Sequence, residues 1–165
     1  MRCLMISNPI SRITAFIILL AGIVIISLVL MFLPAPSASN TIDSQVKSLV
    51  IINGISISVD LAQTQAQREQ GLSGREQLNA GEGMLFLFNE PDYLRFWMKD
   101  MNFPIDIIFI NDKKIVDIVH NLPVPTKMDM PAAYTSKEKA DRVLEIPAGT
   151  AESLNWQIGD VVATP

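Results

Sequence analysis

From residue 49 onward, short apolar runs alternate with polar turns, and this pattern predicts mostly β-strands. Leu49–Leu61 is predicted to be a hairpin, because Asn53-Gly54 favours a tight turn and the residues after it alternate between apolar and polar. A second hairpin is predicted from Ile105–Ile110 to Ile115–His120. The continuous apolar run 84–88 is typical of a strand that is covered on both faces. Further strands are predicted at 95–99, at 142–146 and near 162.

Two short helices are predicted between the strands. Thr64 and Gln67 form a capping-box pattern and Gly71 suits a C-terminal cap, so a helix is expected at Gln65–Gln70. A second short helix is expected from Thr150, as its cap, to about residue 155. Together these elements predict a mainly β fold, a β-rich α+β domain built as a small, partly closed β-barrel with one or two short helices.

The N-terminal segment has a different pattern. Residues 13–33 contain no charged side chain, and about 20 apolar residues are enough for a helix to cross a bilayer. Arg2 and Arg12 precede this run, so the distribution of basic residues places residues 1–12 in the cytoplasm. We therefore expect a single-pass transmembrane helix in the cell membrane, with the following domain on the extracytoplasmic side.

A cleaved signal peptide is the alternative for residues 13–33, because small residues follow from Ala35 to Ser39. Cleavage would leave a secreted or periplasmic domain. Residues 34–48 are rich in Pro, Ser, Ala and Asn, and are expected to be a flexible linker before the domain at 49–165. From Ser44 onward, eleven basic and sixteen acidic residues leave a formal charge of −5, which argues against nucleic acid as a partner.

A series of short motifs runs along the domain in a fixed order. Their order resembles the uncharacterised domain-of-unknown-function family 192, and the resemblance covers roughly Val50 to Val162. That family has no agreed activity, so the resemblance implies an architecture and no particular reaction. The motifs are REQGL at 68–72, GMLF at 83–86, FWMK at 96–99, PID at 104–106, YTS at 134–136, VLEIPAG at 143–149 and Gly159-Asp160.

The charged residues Lys99 and Asp106 lie within the largely apolar run Phe96–Phe109. An unpaired buried charge costs several kcal/mol, so these two side chains are predicted to lie together. Such a carboxylate could be a general base or a ligand anchor, and a structural ion pair is the simpler interpretation. Trp97 in the same run fits a core by default, although a Trp edge in a groove is a common ligand platform.

Glu145 is another lone acid, within the apolar strand Val143–Ile146. Simple alternation would place it on a wet face, whereas convergence with Asp106 would make an acid–base pair. His120, the one histidine, lacks the context of a catalytic triad and cannot hold a transition metal without carboxylate ligands.

Two functions remain open. The favoured one is a non-catalytic binding or assembly module of the cell envelope, without cofactor or metal, whose groove takes an envelope protein or glycan. Its predicted ligand-binding residues are Trp97, Lys99, Asp106, Tyr134 and Glu145. The alternative is an enzyme, a cell-envelope hydrolase that uses Asp106 and Glu145 as paired carboxylates.

Overall fold

A computed structural model of the protein describes residues 47–126 and 133–165. These two ranges contain nine strands and two short helices. The strands are β1 (Ser48–Ile52), β2 (Ile55–Ala62), β3 (Glu82–Asp92), β4 (Arg95–Trp97), β5 (Ile105–Asn111), β6 (Lys114–Leu122), β7 (Ala133–Thr135), β8 (Ala140–Pro147) and β9 (Val162–Ala163). The helices are α1 (Gln65–Gln70) and α2 (Thr150–Ser153).

Seven strands form one curled sheet in the order β6-β5-β8-β3-β2-β1-β9. Only β2 and β3 pair in parallel, and the other neighbours are antiparallel. The two edges of the sheet meet at a bridge between Lys114 and Val161, where Val162 N donates to Lys113 O at 2.8 Å. The predicted β-rich, partly closed barrel is therefore confirmed as a half-barrel, beside which β4 and β7 form a separate two-stranded ribbon.

Both faces of the sheet are buried, because successive residues of its central strands enter two different cores. What we call the inner core contains residues from both edges of the curled sheet and from the segment around α2. What we call the outer core lies on the opposite face and is covered by the β4–β7 ribbon and the loops beside it. The inner core includes Val50, Ile52, Val59, Leu85, Ile108, Ile115, Leu144, Ile146, Trp156 and Val162, and the outer core includes Leu72, Met84, Phe86, Met98, Met101, Ile105, Ile107, Phe109 and Val143.

The turns follow the local sequence. Asn53 and Gly54 adopt φ angles of 50° and 81°, which confirms the first hairpin and its turn. The second hairpin is also confirmed, with a shorter turn than predicted, because Lys114 already pairs with Asn111. The run at 84–88 is confirmed as a strand covered on both faces.

The two helices differ in how they begin. Helix α1 has the predicted bounds and both bonds of the predicted capping box between Thr64 and Gln67. Helix α2 is shorter than predicted, and Gly149, not Thr150, is its N-cap. The prediction for Thr150 was wrong because Gly149 already adopts the left-handed conformation that begins the turn, with a φ of 78°.

The predicted anchor at 13–33 and its cytoplasmic flank lie outside the described residues. So does the predicted linker, except for Lys47 and Ser48, and Ser48 already belongs to β1. The described part of the chain holds helices of six and four residues, and neither could cross a bilayer.

Candidate functional site

The two acids predicted to act together, Asp106 and Glu145, lie on opposite faces of the sheet. Strands β5 and β8 pair so that Asp106 lies opposite Ile146 and Ile107 lies opposite Glu145. Directly paired residues point to the same face, and successive residues point to opposite faces. Asp106 therefore faces the inner core and Glu145 the outer core. The acid–base pair of the hydrolase hypothesis is wrong, because the sheet itself separates the two carboxyl groups.

Asp106 is a structural residue of the inner face. Its side chain is fully buried, and its two oxygens accept backbone N–H groups from Asn121 at 2.8 Å, Gly149 at 3.1 Å and Ala151 at 2.9 Å. Gly149 and Ala151 belong to the first turn of α2, so Asp106 caps this helix from a distant strand. Both carboxylate oxygens of Asp106 therefore have hydrogen-bond partners within the protein.

The predicted pair between Lys99 and Asp106 is also wrong. Strand β4 ends at Trp97, and the chain turns at Asp100, whose φ is 54°. The Lys99 side chain is half exposed, with its Nζ 3.9 Å from Asp100 Oδ2 and 5.4 Å from the centre of the Trp97 ring. The prediction failed because it continued the strand alternation two residues beyond the actual strand.

Glu145 is a buried carboxyl group on the outer face, although alternation alone had placed it in water. It retains 5% of its accessible surface and has no hydrogen bond or ion pair to any residue in the described ranges. Burial raises the pKa of Glu145 from 4.5 to about 8, and the positive charge of Arg75 opposes this rise. At neutral pH the carboxyl group in this structure is therefore mostly protonated.

A small cavity of about 30 Å³ lies against Glu145. This is enough for roughly one or two water-sized groups. Its wall is polar and apolar in roughly equal parts, and the end of α1 with the following loop forms one side. The apolar side chains of the wall are Leu72, Phe86, Phe96, Trp97 and Met101, and its charged side chains are Arg68, Glu69 and Glu145.

Trp97 is 58% exposed at this cavity, so it is not the core residue that its apolar neighbours suggested. In the ribbon, Trp97 pairs with Ala133 and Phe96 pairs with Tyr134. Phe96 and Tyr134 therefore point inward to the outer core, whereas Trp97 points outward. The predicted groove lined by Trp97 and Tyr134 together is not formed. The structure instead brings together Trp97 and Glu145, with Lys99 beside the indole.

Sequence reasoning missed Asp60 and Arg75, which lie near Glu145. Asp60, Met84 and Glu145 form one row across β2, β3 and β8, so the two acids are two strand spacings apart, or roughly 10 Å. Asp60 is buried, and its Oδ2 accepts from Arg75 Nη1 at 2.8 Å. Alternation in β2 had placed Asp60 on a wet face. Asp60 is buried because it lies opposite Met84 in the parallel pairing of β2 and β3, and the local sequence does not show this pairing.

His120 is exposed on β6, away from the cavity. Within residues 47–126 and 133–165, no group of three or more His, Cys, Asp and Glu side chains could hold a metal ion. The arrangement around Glu145 is a cavity with three aromatic residues and one buried carboxyl group in its wall.

This fold and cavity define a small β-rich domain that belongs to a known family. The profile of DUF192, described as an uncharacterized ACR, matches residues 49–164, and the chain belongs to this family. No curated protein matches the chain.

Two crystal structures are similar to this domain. One is a protein of unknown function from Novosphingobium aromaticivorans DSM 12444, with 33% identity and a TM-score of 0.64, covering 70% of this chain and 83% of that chain. The other is a candidate transcription regulator from Sinorhizobium meliloti 1021, with 34% identity and a TM-score of 0.65, covering 72% of this chain and 93% of that chain.

Proposed function

We propose that this protein is a binding module of the cell envelope, and that the cavity between Trp97 and Glu145 is its ligand site. One observation carries the proposal: a buried carboxyl group without a partner in the described chain faces a cavity whose mouth holds an exposed indole. Buried polar groups are nearly always hydrogen-bonded, and a carboxyl group left unpaired costs free energy. A ligand that supplies the missing hydrogen bond would recover that free energy.

The envelope location rests on the N-terminal sequence. Residues 13–33 are uncharged and mostly apolar and follow Arg2 and Arg12, which supports a cytoplasmic N terminus and a domain tethered outside the membrane. A tethered domain of this kind would meet envelope proteins or cell-wall glycans and peptides. Its charge of −5 gives no support to DNA contacts of the sort that a transcription regulator makes.

Binding is favoured over the hydrolase alternative because the two acids that this alternative requires do not converge. Asp106 and Glu145 are on opposite faces, and the other acid of the row, Asp60, is held by Arg75. A binding site needs only a shaped cavity with a few oriented polar groups, and Trp97 and Glu145 meet that requirement.

The test measures retention of the full-length protein, in neutral detergent, on purified cell-wall glycan and peptides. We expect Trp97→Ala to lose most of the retention, because an aromatic anchor at a cavity mouth carries much of the binding energy. Tyr93→Ala is the matched control, since Tyr93 is 54% exposed and lies outside the cavity wall. Equal retention of both variants, or release of cleavage products from the glycan, would refute the binding-module proposal.

A further inference from the structure

Three aromatic residues and one buried carboxyl group line the same small cavity. Phe86 and Phe96 pack edge to face, with ring centres 4.9 Å apart and an interplanar angle of 86°, and Trp97 stands beside Phe96 at the mouth. Glu145 forms part of the wall without any partner in the described residues. The face of an exposed indole ring attracts a cation.

An ammonium group matches this cavity in size and in charge. The cavity of about 30 Å³ has room for a group about as large as water and too little for a ring or a phosphate. The carboxylate of Glu145 gives the cation a counter-ion in the wall, and a charge-assisted hydrogen bond of this kind is roughly twice as strong as a neutral one. Trp97 already attracts an ammonium group, since Lys99 Nζ lies 5.4 Å from its ring centre.

The charged groups around the cavity leave the charge of Glu145 available to a ligand. Arg75, whose charge acts on Glu145, is bound by Asp60. The guanidinium of Arg68 donates to two backbone oxygens and lies 5.1 Å from the centre of the Phe88 ring. Glu69 at the end of α1 adds a second negative charge to the wall.

We propose that the cavity receives the terminal ammonium group of a primary amine, such as a lysine-type side chain or the N terminus of an envelope peptide, with Glu145 as its counter-ion. This inference rests on the proposed function, because it assumes that the cavity is a ligand site. It adds the class of ligand group that enters the cavity.

Binding of the amine is linked to the release of a proton. In the empty cavity burial raises the pKa of Glu145 to about 8, so the carboxyl group must lose its proton before it can pair with a cation. The ionised fraction rises from about 1% at pH 6 to about 50% at pH 8, and the affinity for an amine should therefore rise about 50-fold over this interval. An alkylammonium ion stays protonated throughout.

The experiment compares n-butylammonium with n-butanol as ligands of the full-length protein in neutral detergent. Trp97 fluorescence reports binding, against a constant background from Trp156, which is buried in the inner core. We expect butylammonium to bind more tightly than butanol, with the affinity rising from pH 6 to 8. Glu145→Gln should weaken butylammonium binding roughly tenfold or more at pH 8 and remove its pH dependence. Glu138→Gln, which changes an exposed acid outside the cavity, should change neither.

Each alternative result has a defined meaning. Equal binding of butanol and butylammonium would overturn the ammonium proposal, while the cavity remained a ligand site. Binding of butylammonium that Glu145→Gln leaves unchanged would overturn it as well, and so would no binding of either compound at pH 8. If the wall material is retained through Trp97 in spite of these results, the proposed function survives and only the ligand class is wrong.

Discussion

Glu145 makes the folded protein less stable at neutral and alkaline pH. Its pKa is 4.5 as an ordinary glutamate and about 8 in the folded structure, because burial disfavours the charged form. Below pH 4.5 the group is protonated in both states and has no effect. Between pH 4.5 and 8 the unfolded chain ionises while the folded protein stays protonated, so the free energy of unfolding falls as the pH rises. Above pH 8 both states are ionised and the loss is complete.

We predict that Glu145→Gln removes this loss. The pKa change from 4.5 to about 8 corresponds to up to about 5 kcal/mol of unfolding free energy. The buried amide of the variant lacks a partner, as the protonated carboxyl group of the wild type does, so this cost is similar in the two proteins. In urea unfolding, the variant should therefore be about as stable as the wild type at pH 5 and more stable at pH 8.

Glu138→Gln is the control for this measurement, since Glu138 is exposed. Its unfolding free energy should follow that of the wild type at every pH. Curves for Glu145→Gln that also ran parallel to the wild type from pH 5 to 8 would mean that Glu145 is ionised in the folded state.

The two lone acids had opposite outcomes, and the sequence could not distinguish them. Both stand in apolar strands, and whereas Asp106 was expected to need a partner, Glu145 was expected either to face water or to converge with Asp106. Asp106 finds its partners in backbone groups 15, 43 and 45 residues away in the chain, and such bonds leave no trace in side-chain patterns. Glu145 has no hydrogen-bond partner in the described chain. Under the proposed function, a ligand would be its partner.

Helix α1 positions one side of the cavity, and local chemistry alone defines its ends. Thr64 caps its start, and Gly71 ends it with a φ of 50°. A Cβ at Gly71 would lie 3.3 Å from Cζ of Phe86, so the chain passes close to this aromatic wall. Gly71 thus both ends α1 and lies against Phe86 in the cavity wall.

We predict that Thr64→Ala destabilises the protein by about 1 kcal/mol, because Gln67 N then loses its capping bond to Thr64 Oγ1. The shift in the urea midpoint of the full-length protein measures this loss. Thr150→Ala is the matched control: Thr150 also begins a helix, yet Gly149 is the N-cap there and makes no side-chain bond. The control should stay within about 0.5 kcal/mol of the wild type. Equal losses in both variants would contradict the role of the cap.

Elements with local causes were predictable, and those with long-range causes were not. The two hairpins and α1 follow from turn residues and caps within a few positions. The ribbon of β4 and β7 joins residues about 40 positions apart, and nothing in the local pattern of either strand indicates its partner. The exposure of Trp97 depends on this ribbon, and the sequence therefore contained no indication that Trp97 lies outside the core.

At the scale of the whole domain, the strand order creates the site. Strand β8 inserts between β3 and β5, so Glu145 lies between Met84 and Ile107 and is covered on its own face by the outer core. The sequence predicted a partly closed barrel from the number of short strands. It could not predict the register of β8, and a shift by one residue would exchange Glu145 with Ile146 between the two faces.

We predict that the chain crosses the membrane once, with its N terminus in the cytoplasm and its domain outside. If residues 13–33 stay as an anchor, with Arg2 and Arg12 held in the cytoplasm, protease added to spheroplasts should cut the linker and release the domain. A cytoplasmic marker protein should remain intact in the same sample. Replacing Arg2 and Arg12 together by Glu removes the positive charges that set the orientation, and should reduce the released fraction. A mature N terminus sequenced between Ala35 and Asn40 would show instead that the segment is a cleaved signal peptide, because no anchored form would then exist.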